Sequence, residues 1–483
     1  MKLRQILYQW GTGIFFCLST LTACSDDDAP VEEPVLPQPP TVAISKENLS
    51  FTTANLQLQS ANVLQCAYLV LEGNAEDPDL KEVLKKGTQV AANKTVDILL
   101  EDLDANTAYK VFAVARGEDD YVWASTQFTT ETIPLPEKRH TQIFYYMGDD
   151  TGMENELEAN LRVIQGAAGH LIRLSEKNQV AIFYDNGKTS TLTQLVVNNK
   201  TGRTEHKVIE QYTQESLSTD PAFMKAVLKK ITTLMPADSY GLILSSHGGG
   251  WVPSNLFDQH TASTRFIGQD GSKFMEIPQL AEALDGIKMR YILFDACLMS
   301  SVEALYTLRK TADYFIASPT EVLASGFPYK EIVPMLFQDN LKGACEAFIN
   351  KYRLSSGTIA LVQSDKLDAL AAAMKDVRTA AGNNKQVDCN AIQGYEGLKP
   401  HLFYDLEQYA EALTSDVGAF KTALKETVIY EAHTSSFITG YQKDPVRLPK
   451  SCGLSCFIDS GKFPETQKAW LATDWAKAIG ASK

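Results

Sequence analysis

The sequence has no cysteine framework of the kind that organises small secreted domains or zinc modules. No C-x-x-C pair is followed by a matching second pair, which argues against a structural zinc site. The eight cysteines are Cys17, Cys24, Cys66, Cys297, Cys345, Cys389, Cys452 and Cys456. The last two are close enough in sequence to form a disulfide in an oxidising compartment. We favour the alternative that they are small apolar side chains at the start of a strand.

Basic residues are also fewer than acidic ones. The sequence has 45 lysines and arginines and 59 aspartates and glutamates, which gives a net charge of −14. This balance argues against nucleic acid as a partner and leaves cationic ligands plausible. After the N-terminus there is no second apolar run of membrane-spanning length. At 483 residues and 44% hydrophobic content, we expect two or three domains folded in water.

The N-terminal stretch resembles a bacterial lipoprotein signal peptide. Lys2 and Arg4 precede an apolar run over Ile14–Leu21, and Cys24 follows shortly after it. The resemblance implies that residues 1–23 are removed and that Cys24 is lipidated. A generic secretory signal needs no cysteine at this place, and a transmembrane anchor would need a longer apolar run.

Residues 24–40 are acidic and rich in proline, so they are predicted to form an extended tether. Their start, Ser25–Asp28, resembles the acidic signal that sends some Gram-negative lipoproteins to the cell surface. Loss of Lys2 and Arg4 with the signal peptide would move the net charge from −14 to −16. We therefore expect a protein anchored by lipid to the bacterial outer membrane and exposed at the cell surface.

Residues 41–132 are predicted to form an all-β domain, because short strand-like runs alternate with turn residues. The runs are Leu56–Leu58, Val63–Leu71, Val96–Leu100, Tyr109–Ala115 and Tyr121–Phe128. The segment Leu103–Val114 resembles the corner of a fibronectin type III sandwich, where a tyrosine after a turn enters a strand. That resemblance implies a spacing or docking module. Pro134 and Pro136 mark its end.

From His140 onwards, strand-like and helical stretches alternate, which predicts an α/β fold. The predicted helices are Glu154–Ile164, Pro221–Leu234, Pro278–Leu284, Met299–Leu308 and Tyr404–Leu413. The predicted strands include Gln142–Met147, Val180–Asp185, Tyr314–Pro319, Gly357–Val362, Phe437–Gly440, Gly453–Ile458 and a hairpin over 192–212. We place a core domain at 138–365 and a C-terminal α/β extension at 366–483.

Two apolar runs of strand length end in reactive side chains. Residues 240–246 lead to His247, and residues 290–296 lead to Cys297. Such runs are typical of strands buried on both faces of a parallel sheet. In open α/β sheets, ligands bind beyond the carboxyl ends of the strands. If the two strands are neighbours, about 4.8 Å apart, an imidazole and a thiol meet at one rim.

Four segments, in this order, resemble the clostripain-type cysteine peptidases, a branch of the caspase-like superfamily. They are Tyr145–Asp150, Ser246–Trp251, Asp295–Met299, and Ile316–Pro319 followed by Gly326–Tyr329. The likeness is close over about 140–330 and looser towards the C-terminus. It implies a caspase-like, mostly parallel sheet flanked by helices, and the hydrolysis of peptide bonds in peptide or protein substrates.

The chemistry of the pair agrees with that resemblance. A thiol attacks a carbonyl as its thiolate, and a nearby imidazole can take the proton. Cys297 is therefore the predicted nucleophile, and His247 is the predicted general base and acid. The resemblance assigns the oxyanion contacts to the N–H groups of Gly248 and Cys297. Taken singly, each side chain would more often be an inert core residue; together, with the glycine run, they favour catalysis.

Asp295 is the predicted specificity residue. Residues two apart in a strand share a face, so its carboxylate should flank the pocket that Cys297 serves. In clostripain-like enzymes the matching aspartate reads a basic side chain at P1, the residue before the scissile bond. The resemblance therefore implies cleavage after Arg, with Lys as the second possibility. The alternative is an aspartate that caps a helix or binds Ser318 or Thr320.

Three further predictions concern activation, metal and pocket walls. Family members often cut themselves after a basic residue between the catalytic histidine and cysteine, which here implies Arg265, with Lys273 as the alternative. Asp149, Asp150 and Asp185 could bind Ca2+, as some relatives do. Helix capping also explains the first two, and we favour capping with no cofactor. The segment Glu321–Tyr329 is the predicted opposite wall of the P1 pocket.

The competing function is a catalytically inactive surface lipoprotein that uses a peptidase fold as a binding or adhesion module. The presence of both His247 and Cys297 argues against it. A peptidase with a non-basic P1 preference is disfavoured by Asp295.

Overall fold

The computed structural model describes residues 38–49, 53–100, 103–132, 137–148, 152–198, 200–213, 217–257, 267–382 and 385–481. The signal peptide, Cys24 and most of the tether therefore lie outside the described residues, as do Asp149, Asp150 and Arg265. Among the helices that the structure describes, none is long and apolar enough to cross a membrane.

The N-terminal part is a β-sandwich. Its elements are β1 (Thr41–Leu49), β2 (Ala54–Ala61), β3 (Gln65–Glu72), α1 (Leu80–Lys86), β4 (Thr88–Val90), β5 (Thr95–Leu100), β6 (Ala108–Arg116) and β7 (Tyr121–Thr129). One sheet has the order β1-β2-β5 and the other β4-β3-β6-β7. Leu56 and Leu58 of β2 are buried while Asn55 is exposed, as expected for a strand with one face on a core. The predicted small β-sandwich is confirmed, with β1, β4 and α1 added.

The predicted corner tyrosine makes a hydrogen bond back to the chain that precedes it. The backbone N–H of Asp104 donates to the hydroxyl oxygen of Tyr109 at 2.8 Å. A tyrosine corner makes a bond of this kind. The finer likeness of this sandwich to fibronectin type III domains stays a prediction.

The rest of the chain is an α/β unit whose elements follow in chain order. The first are β8 (His140–Met147), α2 (Glu154–Leu174), β9 (Asn178–Asp185), β10 (Ser190–Val197), β11 (Thr204–Tyr212), α3 (Pro221–Leu234), β12 (Ser239–Ser245), α4 (Ser254–Phe257), β13 (Gln269–Asp270), β14 (Lys273–Phe274), α5 (Ile277–Ala283), β15 (Met289–Asp295), α6 (Val302–Leu308) and β16 (Ala312–Ala317). They are followed by α7 (Tyr329–Phe337), α8 (Leu341–Tyr352), β17 (Thr358–Gln363), α9 (Leu367–Ala381), β18 (Tyr404–Asp405), α10 (Leu406–Leu413), α11 (Gly418–Thr427), β19 (Val428–His433), β20 (Ser436–Thr439), β21 (Gln442–Arg447), β22 (Ser455–Cys456), α12 (Pro464–Leu471) and α13 (Asp474–Ala478).

The largest sheet of the described residues has nine strands in the order β11-β10-β9-β8-β12-β15-β16-β17-β19. The central pairs, from β9 to β16, are parallel, and the outer pairs are antiparallel. Only β10 and β17 run against the common direction. The predicted mostly parallel sheet is confirmed, and the predicted hairpin forms β10 and β11 at one edge.

Both faces of the sheet are covered, which explains why the central strands are apolar throughout. In β12, Leu242 and Leu244 belong to one core cluster with α3, α5 and α6, while Ile243 belongs to the other with α2, α7 and α8. Helix α3 begins where the Asp220 carboxylate accepts the Phe223 N–H at 2.8 Å, just before Pro221. It buries Met224, Val227, Leu228 and Ile231.

The sheet continues past residue 365, where the sequence analysis places the end of the core domain. Strand β19 pairs with β17, and helices α9, α10 and α11 contribute to the same core cluster as α3. The described residues after 365 therefore share the sheet and the core of the residues before it, and the division into a core at 138–365 and an extension at 366–483 stays a prediction. The predicted strand over Gly453–Ile458 is reduced to the short β22, in which Cys456 pairs with Tyr404. Cys452 and Cys456 are buried free thiols.

A buried glutamate ties the C-terminal segment to the core. Glu303 of α6 is 1% exposed, and its Oε1 accepts the Phe457 N–H at 2.9 Å and the Trp470 indole N–H at 3.0 Å. Its Oε2 has no hydrogen-bond partner among the described residues. Burial raises the pKa of this carboxyl from 4.5 to about 7.

We expect Glu303→Gln to remove a pH-dependent loss of stability. Since the folded-state pKa lies above the unfolded value, stability falls as pH rises from 4.5 through about 7. The full cost of ionisation is on the order of 3 kcal/mol. Glutamine keeps the acceptor for both N–H groups but carries no charge. Thermal unfolding at about pH 5 and about pH 8 should show a much smaller decrease in the variant. An equal decrease in both proteins would contradict this, and exposed Glu346 provides a control position for the same substitution.

Candidate active site

Two neighbouring parallel strands bring the predicted pair together. Ser245 at the end of β12 lies opposite Asp295 at the end of β15. His247 and Cys297 each follow two residues later, and both are partly exposed. A Cβ added to Gly248 would lie 2.9 Å from the Cys297 nitrogen and 2.5 Å from its carbonyl oxygen. Only glycine permits this approach, so the glycine after His247 sets the two loops against each other.

The loop that carries His247 is held from several sides. The His247 carbonyl accepts the Gly268 N–H at 3.0 Å, and the Ser246 hydroxyl oxygen accepts the Gln269 N–H at 3.1 Å. Gly250 has φ +64°, a conformation that favours glycine. Trp251 is buried against Phe457, with ring centroids 5.5 Å apart. The C-terminal segment held by Glu303 is therefore also the support of the histidine loop.

The Cys297 thiol forms hydrogen bonds with the backbone of Val322 across the site. Its Sγ accepts the Val322 N–H at 3.3 Å and donates to the Val322 carbonyl at 3.6 Å. Burial, and then the carboxylate of Glu321, raise the pKa of Cys297 to about 12. The resting thiol is therefore protonated near neutrality. It can act as a nucleophile only when a base takes its proton, and His247 lies on the adjoining loop.

Glu321 links the thiol's neighbourhood to the hairpin of β20 and β21. Its carboxylate accepts the Gly440 N–H at 3.0 Å and a hydrogen bond from the Thr439 hydroxyl. On the other side of the thiol, Leu298 has φ +60°, which is uncommon for a leucine. The Leu298 N–H donates to the Thr320 carbonyl at 3.0 Å. The strained turn after Cys297 is thus fixed by the segment that leads into Glu321.

Asp295 lies beneath the segment predicted to form the pocket wall. It is 7% exposed, and its Oδ2 accepts the Tyr329 hydroxyl at 2.6 Å and the Ser245 hydroxyl at 3.5 Å. A Cβ added to Gly326 would lie 2.5 Å from that oxygen. Burial raises the pKa of Asp295 to about 6, while the hydroxyl of Tyr329 and the charge of Lys351 oppose the rise. The alternative, that Asp295 binds Ser318 or Thr320, is not observed. The hydroxyls of those two residues form hydrogen bonds with the Thr358 hydroxyl instead.

These features agree with the comparisons with known proteins. A model of the Clostripain family, Peptidase_C11, matches residues 144–447 and so spans the sheet, both loops and the pocket wall. The chain belongs to the Clostripain family.

Solved structures of this family resemble the chain over most of its length. An inactive zymogen C11 protease from Parabacteroides distasonis is 31% identical, with a TM-score of 0.63, and the match covers 72% of this chain and 99% of that one. A secreted C11 cysteine protease from Bacteroides thetaiotaomicron, iotapain, is 26% identical, with a TM-score of 0.63 over 70% of this chain and 99% of its own. A secreted C11 protease of that organism, in complex with an irreversible peptide inhibitor, is 28% identical, with a TM-score of 0.62 over 71% of this chain and 98% of its own. The predicted C11 protease fold is confirmed.

The curated relative is more distant. Clostripain from Hathewaya histolytica is 29% identical over 132 residues, and the match spans 23% of this chain and 23% of clostripain. The chain therefore covers less than a quarter of that relative's length. Family membership supports a cysteine protease.

Three residues of this clostripain-family site make contacts that were not predicted from the sequence, although Val322 and Tyr329 lie within the predicted wall. Val322 contacts the thiol, Tyr329 bonds to Asp295, and Lys351 donates to the carbonyls of Ser325 and Gly326 at 3.0 and 2.9 Å. Tyr329 and Lys351 lie on α7 and α8, which the sequence analysis did not predict. An analysis of the amphipathic period over 329–352 could have found both helices.

Lys273 and Asp185 are the remaining predicted residues that the structure describes. Lys273 is exposed in β14, which pairs with β13 in a hairpin next to the histidine loop. Asp185 is buried, and burial together with Asp270 raises its pKa. Its Oδ1 accepts the Gly187 N–H at 3.1 Å. Within the described ranges, no group of three or more His, Cys, Asp or Glu residues is placed to hold a metal ion.

Proposed function

We propose that this protein is a cysteine endopeptidase that cleaves peptide bonds after basic residues. The observation that carries the proposal is the contact of Gly248 with the backbone of Cys297, which places the histidine loop beside the thiol. Asp295 supplies a buried carboxylate below the neighbouring wall. The sequence analysis expects arginine before lysine at P1.

The proposed reaction uses only side chains and backbone groups of the site. His247 takes the proton of the Cys297 thiol, and the thiolate attacks the scissile carbonyl carbon. The N–H groups of Gly248 and Cys297 are the proposed donors to the oxyanion. The C–N bond then breaks as the imidazolium protonates the leaving amine, which leaves a thioester on Cys297. Water hydrolyses the thioester, losing a proton to His247, and the thiol is restored.

Two further features belong to this proposal. The chain would activate itself by cleavage after Arg265, or after Lys273, because both stand between the two catalytic residues and carry the side chains that the pocket would accept. A lipid on Cys24 would hold the protein at the bacterial outer membrane, with its peptide substrates at the cell surface and the sandwich as a spacer.

The test is labelling of the mature protein with an arginine-based acyloxymethyl ketone, before and after limited trypsin treatment, followed by peptide mass spectrometry. We expect label on Cys297 and a new N-terminus directly after Arg265 in active protein. An intact chain after long incubation would contradict self-cleavage alone. If no peptide probe labels Cys297 in either sample, the endopeptidase proposal is wrong and the binding-module alternative takes its place.

A further inference from the structure

One oxygen of the Asp295 carboxylate, Oδ2, already accepts hydrogen bonds from side chains of the protein. A carboxylate oxygen has about two lone pairs that can accept hydrogen bonds. Those of Oδ2 face the Tyr329 hydroxyl at 2.6 Å and, at a longer 3.5 Å, the Ser245 hydroxyl. The Tyr329 bond is short, as expected when the acceptor is charged. The Phe327 backbone N–H also donates to this carboxylate. A cation that reaches Asp295 therefore has to share Oδ2 with two hydroxyls of the protein.

The tyrosine cannot turn away to free that oxygen. Tyr329 is 2% exposed and opens helix α7. Its ring packs against those of Phe144 and Tyr146, with centroids 6.1 and 6.5 Å away. Close packing of this kind fixes the side-chain conformer. The Tyr329 hydroxyl is thus held against the Asp295 carboxylate.

The carbonyls at the pocket rim are also occupied. Lys351 donates to the carbonyl oxygens of Ser325 and Gly326, and the Tyr352 hydroxyl donates to that of Gly326 at 2.5 Å. Both carbonyls belong to the segment that covers Asp295, since Gly326 lies directly against the carboxylate. With these two carbonyls already engaged, the five N–H donors of a guanidinium, which are fixed in a plane, are harder to satisfy than the three freely rotating donors of an ammonium.

We infer that Tyr329 sets the P1 selectivity of the site and that the site prefers lysine to arginine. The inference rests on the proposed function and reverses the order of preference that the family resemblance implies. Arginine gains over lysine at a carboxylate mainly by a bidentate contact with both oxygens. The Tyr329 hydroxyl removes the second oxygen, so the guanidinium would bury N–H groups without partners.

The test is a comparison of kcat/KM for two peptide substrates that differ only in Lys or Arg at P1. The wild-type protein should cleave the lysine peptide at least as well as the arginine peptide. Tyr329→Phe keeps the ring and removes the hydroxyl, which frees Oδ2. We expect the Arg-to-Lys ratio of kcat/KM to rise roughly tenfold, the equivalent of one charge-assisted hydrogen bond. Loss of that donor should also move the acid limb of the pH profile to higher pH, because the carboxylate is less stabilised.

Tyr395→Phe is the matched control. Tyr395 is also buried and donates to a buried aspartate, Asp405, at 2.7 Å, but that pair lies outside the pocket. The Arg-to-Lys ratio of kcat/KM in the Tyr395→Phe variant should equal that of the wild-type protein. If Tyr329→Phe does not fold, Ser245→Ala removes the longer bond to the same oxygen and should raise the ratio by a smaller factor.

The outcomes separate this inference from the proposed function. A wild-type protein that clearly prefers arginine, or a ratio unchanged in both Tyr329→Phe and Ser245→Ala, would overturn the role of Tyr329 while leaving a basic-specific peptidase. Failure to cleave either peptide, with no labelling of Cys297, would instead overturn the proposed function.

Discussion

Replacement of Cys297 by alanine will lower peptide hydrolysis by at least about a thousandfold and abolish labelling by electrophilic peptide probes. The loss should be this large because the proposed reaction passes through a thioester on Cys297, and Cys297 is the residue whose backbone lies against Gly248 of the histidine loop. The measurement is kcat/KM for a peptide with a basic P1 residue, together with the mass of the probe-treated protein.

Cys389→Ala is the control, because Cys389 is also a partly exposed free thiol but lies outside the site. It should keep both activity and labelling. A His247→Ala variant adds a second readout. Since the pKa of Cys297 is raised to about 12, alkylation of the thiol near neutral pH depends on a base that accepts its proton. If Cys297→Ala retains substantial activity, the nucleophile has been assigned wrongly.

The strands that build the site could be predicted from the sequence because each is continuous and apolar. Leu242, Ile243 and Leu244 point alternately into two cores, so no polar face interrupts the run. The side chains at the ends of such strands then follow from the geometry of parallel sheets. This is why His247 and Cys297 could be placed at one rim without any knowledge of the intervening chain.

The pocket wall could not be predicted in the same way. Helix α7 begins after Pro328 and contains Pro334, a residue that normally breaks helices. From the sequence, 321–329 was predicted as a wall, and no helix was predicted over 329–352. Helix α6 was predicted to start at Met299, but it starts at Val302. The residues before it are not helical, because Leu298 adopts a left-handed conformation and the Ser300 N–H donates to the Ser318 carbonyl at 3.0 Å.

The partners of Asp295 show where sequence reasoning ends. A carboxylate near the thiol was predicted because it stands two residues before Cys297. The only partners within the chain that were considered for it were Ser318 and Thr320. The structure places the Tyr329 hydroxyl on it, from a residue 34 positions later in the chain. Contacts between such distant residues depend on how whole helices pack, which the local pattern does not contain.

Replacement of Asp295 by asparagine will lower kcat/KM for peptides with a basic P1 residue by about a hundredfold, because a cation in a buried pocket loses its counter-charge. A peptide with an uncharged P1 residue of similar length should be affected much less, and it serves as the matched substrate. The wild-type pH profile should have an acid limb near pH 6, because recognition needs the ionised carboxylate, whose pKa is raised to about 6. The variant should lose this limb.

The same substitution should stabilise the fold, and this distinguishes a functional aspartate from a structural one. A folded-state pKa raised from 3.8 to about 6 means that stability falls as pH rises through this window. At neutral pH the ionised carboxylate therefore costs on the order of 3 kcal/mol, part of which asparagine should recover. We expect a higher melting temperature at pH 7 together with the lower activity. A variant that is both less active and less stable would show that Asp295 mainly supports the fold. Another residue would then have to account for the proposed P1 preference.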